Sequence, residues 1–150
     1  MIMTVQNHSP VLEGETVEMT TRDTVEELLS RMASADAGMT AQLFAEEVDF
    51  MCAGSEKVPW IRPRRTREDM ADFFASMNAS FFPEDRSASV SELLLDGQDA
   101  VVMGQVSQRL LSNGKAFTIQ FALHLTVSEG MITRYHVYED SLTVAEAVTA

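Results

Sequence analysis

The alternation of hydrophobic and polar positions is clearest in residues 117–140, where it predicts two β-strands joined by a tight turn. A period of two is typical of a strand that buries one face. Gly130 follows Ser128 and Glu129, and it supplies the positive φ of a hairpin turn with a bulge. We expect this hairpin to form one wall of any functional site. The apolar positions of its first arm are Phe117, Ile119, Phe121, Leu123, Leu125 and Val127.

Apolar residues three and four positions apart predict helices earlier in the chain. The first predicted helix begins with Asp23 as its cap and Glu26 three residues later, which is a capping-box pattern. A short helix over residues 40–46 and a short strand over residues 48–54 follow. Thr66 and Asp69 predict the start of a further helix, which ends before Pro83. The apolar face of the first helix consists of Val25, Leu28, Leu29 and Met32.

The second half of the chain is dominated by predicted strands. They cover residues 87–95, 100–112 and the two arms of the hairpin, and a helix over residues 141–148 closes the chain. Asp96-Gly97 and Asn113-Gly114 are strong turn signals between consecutive strands. Helices followed by a meander of strands predict an α+β fold in which a curved antiparallel sheet covers the helices.

Composition narrows the possible functions. A chain of 150 residues is long enough for one core, so we expect a tail over residues 1–20 and a single domain over residues 21–150. The net charge of −12 disfavours binding to nucleic acid or to an anionic membrane. Cys52 is the single cysteine, and the N-terminus lacks a signal-peptide pattern, so we expect a cytoplasmic protein.

Three phrases of the sequence, in this order, carry a resemblance to a known superfamily. They are LFAEEV at residues 43–48, VPW at residues 58–60 before the helix that contains FF at 73–74, and GMITRYHVYED at residues 130–140. The chain resembles the nuclear transport factor 2-like superfamily in its SnoaL-like and ketosteroid-isomerase-like branch. The resemblance implies a cone-shaped sheet wrapped around N-terminal helices (a cystatin-like α+β barrel), with an apolar pocket. It also implies cofactor-independent chemistry and a homodimer formed through the outer face of the sheet.

The acids that related enzymes use are replaced at the matching positions. The resemblance places the carboxylate base of a ketosteroid isomerase at or beside Cys52, and the acid of isomerases and cyclases near Leu123. The Arg and Asp residues of limonene-epoxide hydrolases correspond to Gln105, Ser107 and Val137, which makes epoxide hydrolysis the least favoured activity. The predicted pocket is therefore more apolar than that of most relatives.

Tyr135 and Glu139 are the remaining candidates for catalysis. A bulge at Gly130 pairs Leu123 with Tyr135, whereas a two-residue turn places His136 beside Leu123. The bulged register turns Tyr135 and Glu139 into the pocket, where an apolar environment raises the pKa of a carboxyl group. The alternative is that Glu139 lies in solvent at the rim of the sheet. The other predicted pocket residues are Cys52, Trp60 at the mouth, Phe73, Met77, Met103, Gln105, Ser107, Phe121, Leu123 and Val137.

Two further groups of residues favour structural roles. His124 and His136 share the outer face of the hairpin, but two histidines without a third ligand favour a subunit contact over a metal site. Arg62, Arg64 and Arg65 lie close to Arg67, and this basic loop either binds an anion or is solvated and ion-paired. We expect no metal and no cofactor. The sequence thus predicts an isomerase or cyclase for a hydrophobic, carbonyl-bearing small molecule. The alternatives are a dimeric binding protein for an apolar ligand and a structural or interaction role.

Overall fold

A computed structural model describes residues 19–150, so residues 1–18 of the predicted tail lie outside the described part. Four helices and five strands follow in the order α1, α2, β1, α3, β2, β3, β4, β5, α4. Their bounds are α1 Thr21–Ala33, α2 Ala37–Ala41, β1 Phe44–Cys52, α3 Arg67–Ser80, β2 Ser87–Asp96, β3 Asp99–Arg109, β4 Ala116–Ser128, β5 Met131–Glu139 and α4 Ser141–Thr149. A short 3-10 turn, Pro83–Asp85, joins α3 to β2 through Arg86. None of the helices in residues 19–150 is long and apolar enough to cross a membrane.

The five strands form one curved, unclosed sheet in the order β1-β5-β4-β3-β2, and the N-terminal helices lie against its inner face. This confirms the predicted α+β cone. The sheet is mixed rather than wholly antiparallel, because β1 pairs with β5 in the parallel sense. The helix α3 and three antiparallel strands separate β1 from β5 in sequence, which allows the last strand to return beside the first in the same direction.

Capping side chains set the helix starts. Thr20, not Asp23, caps α1, since its hydroxyl accepts the backbone N–H of Asp23 at 3.0 Å. Thr66 and Asp69 form the predicted capping box of α3. The second helix lies earlier in the chain than the predicted residues 40–46. It is capped by Asp36 and ends at Ala41, and residues 44–47 belong to β1.

The turn of the β4–β5 hairpin differs from the predicted bulged turn. Glu129 and Gly130 both have positive φ, of 52° and 75°, and form a two-residue turn. The irregularity lies inside β5 instead, where Thr126 pairs with Arg134 and Val127 pairs with Ile132. Opposite Leu123 the structure places Val137, while Tyr135 pairs with Leu125. This internal bulge restores the predicted orientation, so the same side chains of the hairpin face inward.

The inner face of the sheet and the helices enclose an apolar core. Leu28 of α1, Met70 of α3 and Leu125 of β4 are each fully buried. Gly104 of β3 lies against the backbone of β2, where a Cβ atom would collide with the carbonyl oxygen of Ser89. Close approach of β2 at this point therefore requires a glycine. The side chains of the core do not fill the whole interior of the cone, and the remaining space forms the candidate site.

Candidate functional site

A cavity of about 410 Å³ lies between the helices and the inner face of the sheet. The C-terminal half of α1 and the inner side of α3 form one side of it, and all five strands contribute to the other. Its lining is mainly apolar, which suits a ligand with a hydrophobic body. Of the predicted site residues, the cavity is lined by Cys52, Trp60, Phe73, Met77, Phe121, Leu123, Tyr135, Val137 and Glu139.

Three predicted pocket residues of β3 lie on the outer face instead. Met103 is 38% exposed, Gln105 pairs with the exposed Gln120, and the hydroxyl of Ser107 hydrogen-bonds that of Thr118 at 2.8 Å. The prediction was displaced by one residue, and a shift of one position moves a strand residue to the opposite face. Val106 and Gln108 take the inward positions of this strand.

Trp60 belongs to the wall of the cavity and not to its mouth. Only 3% of the residue is exposed, and its ring centroid lies 5.1 Å from that of Phe81. The exposed residues that line the cavity lie at the end of α1, in the turn after α3 and at the start of β2, and they are Ala33, Ala35, Pro83, Ser87, Ala88 and Val90. The cavity therefore opens to solvent between β2 and the end of α1.

Tyr135 stands in a cluster of aromatic rings. Its ring stacks parallel to that of Phe50 at 6.0 Å and meets the edges of Phe73 at 5.7 Å and Phe74 at 5.8 Å. The ring is 97% buried by this packing, since the residue is 3% exposed, and burial raises the pKa of the phenol. The hydroxyl group has no hydrogen-bond partner among residues 19–150. It is a neutral donor available to a bound molecule.

Glu139 is the last residue of β5 and lines the same cavity, four positions after Tyr135. Its carboxyl group forms no hydrogen bond or ion pair with any residue of the described part of the chain. Burial, and to a smaller extent the charge of Asp140, raise its pKa above the ordinary value. Glu139 is half-buried in the cavity wall, and a carboxyl group with a raised pKa holds a proton more readily, so it can accept a proton from a substrate and return it.

Cys52, at or beside which the resemblance places the base of a ketosteroid isomerase, is a thiol in the cavity wall. It pairs with Val137 across the β1–β5 boundary and lines the cavity. Burial, followed by the charge of Glu139, raises the pKa of its thiol to about 12. The thiolate is therefore scarce at neutral pH, and Cys52 acts as apolar packing.

Three polar residues of the cavity wall were missed by sequence reasoning. Gln108 is 5% exposed, and its position on β3 could have been found from the inward alternation with Val102 and Val106. Asn78 of α3 and Arg86 lie at the open side of the cavity, where the Nη1 of Arg86 donates to the Oδ1 of Asn78 at 2.8 Å. Nothing in the pattern around Arg86 signals this, since the residue follows an irregular turn.

The histidines of the outer face are paired with acids. His124 Nε2 lies 3.0 Å from Asp99 Oδ1, and His136 Nε2 lies 2.9 Å from Asp49 Oδ1. Within residues 19–150, no three His, Cys, Asp or Glu side chains come together in a way that could hold a metal ion. The two histidines thus lie beside different acids, His124 beside Asp99 and His136 beside Asp49.

Hydrogen bonds and ion pairs connect the basic loop, which contains Arg62 and Arg64, to α3. Arg64 is 4% exposed and donates to Asp72 Oδ2 at 2.7 Å and to the carbonyl oxygen of Asp69 at 2.8 Å. Arg62 approaches the same Asp72 at 4.0 Å, and Arg67 donates to the carbonyl oxygen of Phe44 at 2.8 Å. These bonds favour the ion-paired interpretation of the loop over an anion site.

Comparisons with known proteins agree with this architecture. A nuclear transport factor 2-like protein from Burkholderia xenovorans shares 19% identity over 88% of this chain and 99% of its own, with a TM-score of 0.74. A proposed isomerase from Rhodopseudomonas palustris shares 13% identity over 84% and 96%, with a TM-score of 0.71. A proposed polyketide cyclase from Pseudomonas putida shares 16% identity over 86% and 98%, with a TM-score of 0.67.

At these identities the solved structures establish the fold alone. No curated protein matches the sequence. The sequence pattern of the SnoaL-like domain matches residues 25–135, which is most of the chain and includes most of α1, all of α3 and four complete strands of the cone. The chain therefore belongs to the SnoaL-like domain family, within the nuclear transport factor 2-like superfamily.

Proposed function

We propose that the protein is a cofactor-independent isomerase or cyclase that acts on a hydrophobic, carbonyl-bearing small molecule. One observation carries the proposal: Tyr135 and Glu139 line the same apolar cavity, and neither side chain has a polar partner in the described residues. Both groups border the open space of the cavity, where a bound molecule can supply the hydrogen-bond partners that polar groups normally have. A carbonyl oxygen for Tyr135 and an acidic C–H for Glu139 satisfy both.

The spacing of the two residues restricts the substrate. They are four positions apart on β5, and a strand rises about 3.3 Å per residue, so their Cα atoms lie about 13 Å apart. Val137 faces inward between them. Tyr135 and Glu139 therefore contact different parts of one bound molecule. This favours an extended substrate in which conjugated bonds, or a second carbonyl, separate the acidic carbon from the oxygen that accepts the charge.

The proposed reaction moves one proton. Ionised Glu139 removes a proton from a carbon that is acidified by the carbonyl group, and the electron pair passes to the carbonyl oxygen. Tyr135 stabilises this oxygen by donating a hydrogen bond that strengthens as negative charge develops. In isomerisation, protonated Glu139 returns the proton to another carbon of the conjugated system. In cyclisation, the enolate carbon attacks a second carbonyl carbon, and the new alkoxide takes the proton.

The experiment uses aryl-substituted α,β-unsaturated ketones with an acidic γ-carbon, and the exchange of the γ-hydrogen for deuterium in D₂O is followed by proton NMR. We expect Glu139→Gln to lower kcat by about 10²- to 10⁴-fold, because it removes the proton acceptor. Tyr135→Phe should lower kcat by about 10²- to 10³-fold through loss of the oxyanion donor. Tyr138→Phe is the matched control, since Tyr138 lies on the outer face of the same strand and is 54% exposed. Full turnover in both cavity variants would contradict the proposal.

A second candidate function is the binding of an apolar ligand without turnover. The inward residues Leu123 and Val137, where related enzymes carry acids, favour it. Such a protein would bind apolar compounds with a negative heat-capacity change and release them unchanged. Chromatography of the ligand after incubation separates the two functions, because any new product excludes the purely binding role.

We further propose that the protein forms a homodimer through the outer face of the sheet. Met103, Ala122 and Tyr138 are neighbours across β3, β4 and β5, and both large members of this row are exposed. An exposed apolar row on a sheet is suited to a subunit contact. Sedimentation at micromolar concentration tests the dimer, and Tyr138→Glu should dissociate it. A wild-type monomer would contradict it.

A further inference from the structure

Arg86 is the one cationic side chain that lines the cavity in residues 19–150. Its Nη1 donates to Asn78 Oδ1 at 2.8 Å, and its guanidinium carbon lies 5.8 Å from the centre of the Phe81 ring. It forms no ion pair with any carboxylate of the described residues. Asp85, the acid next to it in sequence, is bound instead by Arg109 at 2.7 Å.

Two successive hydrogen bonds, through Asn78, connect Arg86 to the end of α1. The Nδ2 of Asn78 donates to the carbonyl oxygen of Ala35, at the end of α1, at 3.1 Å. Asn78 therefore connects Arg86 to the helix layer. Of the five N–H donors of an arginine, one is used by Asn78 and the others find no protein acceptor in residues 19–150. Since Arg86 lines the cavity, these donors are available to a molecule bound there.

Arg86 differs from most arginines of the described residues in having no acid beside it. The sequence has 23 acidic and 11 basic residues, so acids are abundant. Arg31 contacts Glu27, Arg64 contacts Asp72, and Arg134 contacts Asp49. The other arginines without an ion pair in residues 19–150 are Arg65 and Arg67, and neither lines the cavity. An arginine that is partly buried without a counter-charge carries an uncompensated desolvation cost. A bound anion would remove that cost.

We propose that Arg86 binds a carboxylate of the substrate, so that the substrate class is an apolar, carbonyl-bearing carboxylic acid. Arg86, Tyr135 and Glu139 all line the one cavity. The carboxylate at Arg86 would thus hold the molecule at the open side of the cavity, while its apolar body extends past Tyr135 towards Glu139. This inference rests on the proposed function only in assigning the cavity to a substrate.

The test compares two probes of the same shape, 2-naphthoate and its neutral amide, 2-naphthamide, by calorimetric titration of the full chain. We expect the carboxylate to bind about tenfold to a hundredfold more tightly, which corresponds to a hydrogen bond with a charged group. Arg86→Gln should remove this preference and leave the affinity for the amide within about twofold. Arg86→Lys keeps the charge without the planar fork, and it should retain a reduced preference.

Arg134→Gln is the matched control, because Arg134 lies on the outer face and pairs with Asp49 outside the cavity. It should keep the wild-type preference. Circular dichroism of each variant shows that the fold is retained. Equal affinities of the wild type for the two probes, an Arg86→Gln variant that still prefers the carboxylate, or no binding of the carboxylate would each overturn the inference. These results are independent of turnover, so an inactive protein that prefers the carboxylate would contradict the proposed reaction and support the anion site.

Discussion

Polar side chains on the inner and outer faces of the β4–β5 hairpin differ in whether another polar side chain of the protein lies next to them. On the inner face, Tyr135 and Glu139 have no polar partner among residues 19–150. On the outer face, His136 lies 2.9 Å from Asp49, and His124 lies 3.0 Å from Asp99. Adjacent residues of one strand thus differ in whether an acid of the protein lies next to their side chains. Because the inner groups border the cavity and have no polar neighbour of this kind, they are the ones that indicate a binding site.

The pKa values of the two faces shift in opposite directions. Burial raises the pKa of Glu139 on the inner face. On the outer face, contact with His136 lowers the pKa of Asp49, and hydrogen bonds from Thr126 and His124 lower that of Asp99. The inner face therefore favours the neutral acid, while the outer face favours the carboxylate. One sheet thus has an inner face that destabilises a carboxylate and an outer face that stabilises carboxylates.

The largest expected effect comes from removing packing on the inner face. Leu125 is fully buried, and Leu125→Ala should lower the free energy of unfolding by about 2–5 kcal/mol, since it removes buried methyl groups and leaves a cavity. Leu94→Ala is the matched control on an exposed position of β2, where the residue is 51% exposed, and it should change stability by less than about 0.5 kcal/mol. Urea denaturation followed by circular dichroism measures both.

Similar losses in the two variants would mean that the outer face is also packed, as in a subunit interface. Repeating the titrations at two protein concentrations distinguishes this case, because the stability of a dimer depends on concentration. A small loss in Leu125→Ala alone would instead mean that the inner wall relaxes to fill the space.

The fold of the hairpin was predictable because its apolar residues alternate without interruption from Phe117 to Val127. That pattern fixed which side chains face inward, even though the turn was assigned the wrong geometry. The bulge inside β5 is invisible to the pattern, since Thr133 and Arg134 are both compatible with either face. The pairing of strands that are distant in sequence could likewise not be predicted, because no local feature of β1 signals that it lies parallel to β5.

The candidate site was predicted less completely than the fold. Strand β3 has fewer large apolar residues, and Gly104 interrupts its alternation, so its register was assigned one residue away from the structure. Met103, Gln105 and Ser107 were placed inward for this reason. Arg86 and Asn78 come together only through the packing of α3 against the start of β2, and a contact of that kind has no sequence periodicity.

The second prediction concerns the pH dependence of stability at the inner face. Glu139 has a folded-state pKa above its ordinary value of 4.5, so the folded protein favours the protonated form. Stability from this group is present below 4.5 and is lost as the pH rises through the raised pKa. Glu139→Gln should therefore lose less stability than the wild type as the pH increases through this range, as measured by urea denaturation at successive pH values.

Glu92→Gln serves as the control for the loss of one carboxylate, because Glu92 is exposed on β2. This variant should keep the wild-type decrease in stability. If Glu139→Gln also keeps it, the carboxyl group of Glu139 is solvated in the folded protein, and the alternative of a rim position applies.

The smallest expected effect concerns the ion pairs of the outer face. Arg134 Nε lies 3.3 Å from Asp49 Oδ2, and both side chains are more than a third exposed. Solvent screens such a pair, so a double-mutant cycle with Asp49→Asn and Arg134→Gln should give a coupling energy of about 0–1 kcal/mol. Because the pKa of Asp49 is lowered, the contribution is present above its ordinary value of 3.8 and is lost as the pH falls through the lowered pKa.

Salt provides the control for this last prediction, since screening by 1 M NaCl should reduce the coupling of exposed charges. The inner-face variants Leu125→Ala and Glu139→Gln should show no comparable change in their difference from the wild type. A coupling energy above about 2 kcal/mol that persists at high salt would mean that Asp49 and Arg134 are shielded from water in solution. The outer face would then be covered by a second subunit, and its polar groups would be satisfied in an interface instead of in solvent.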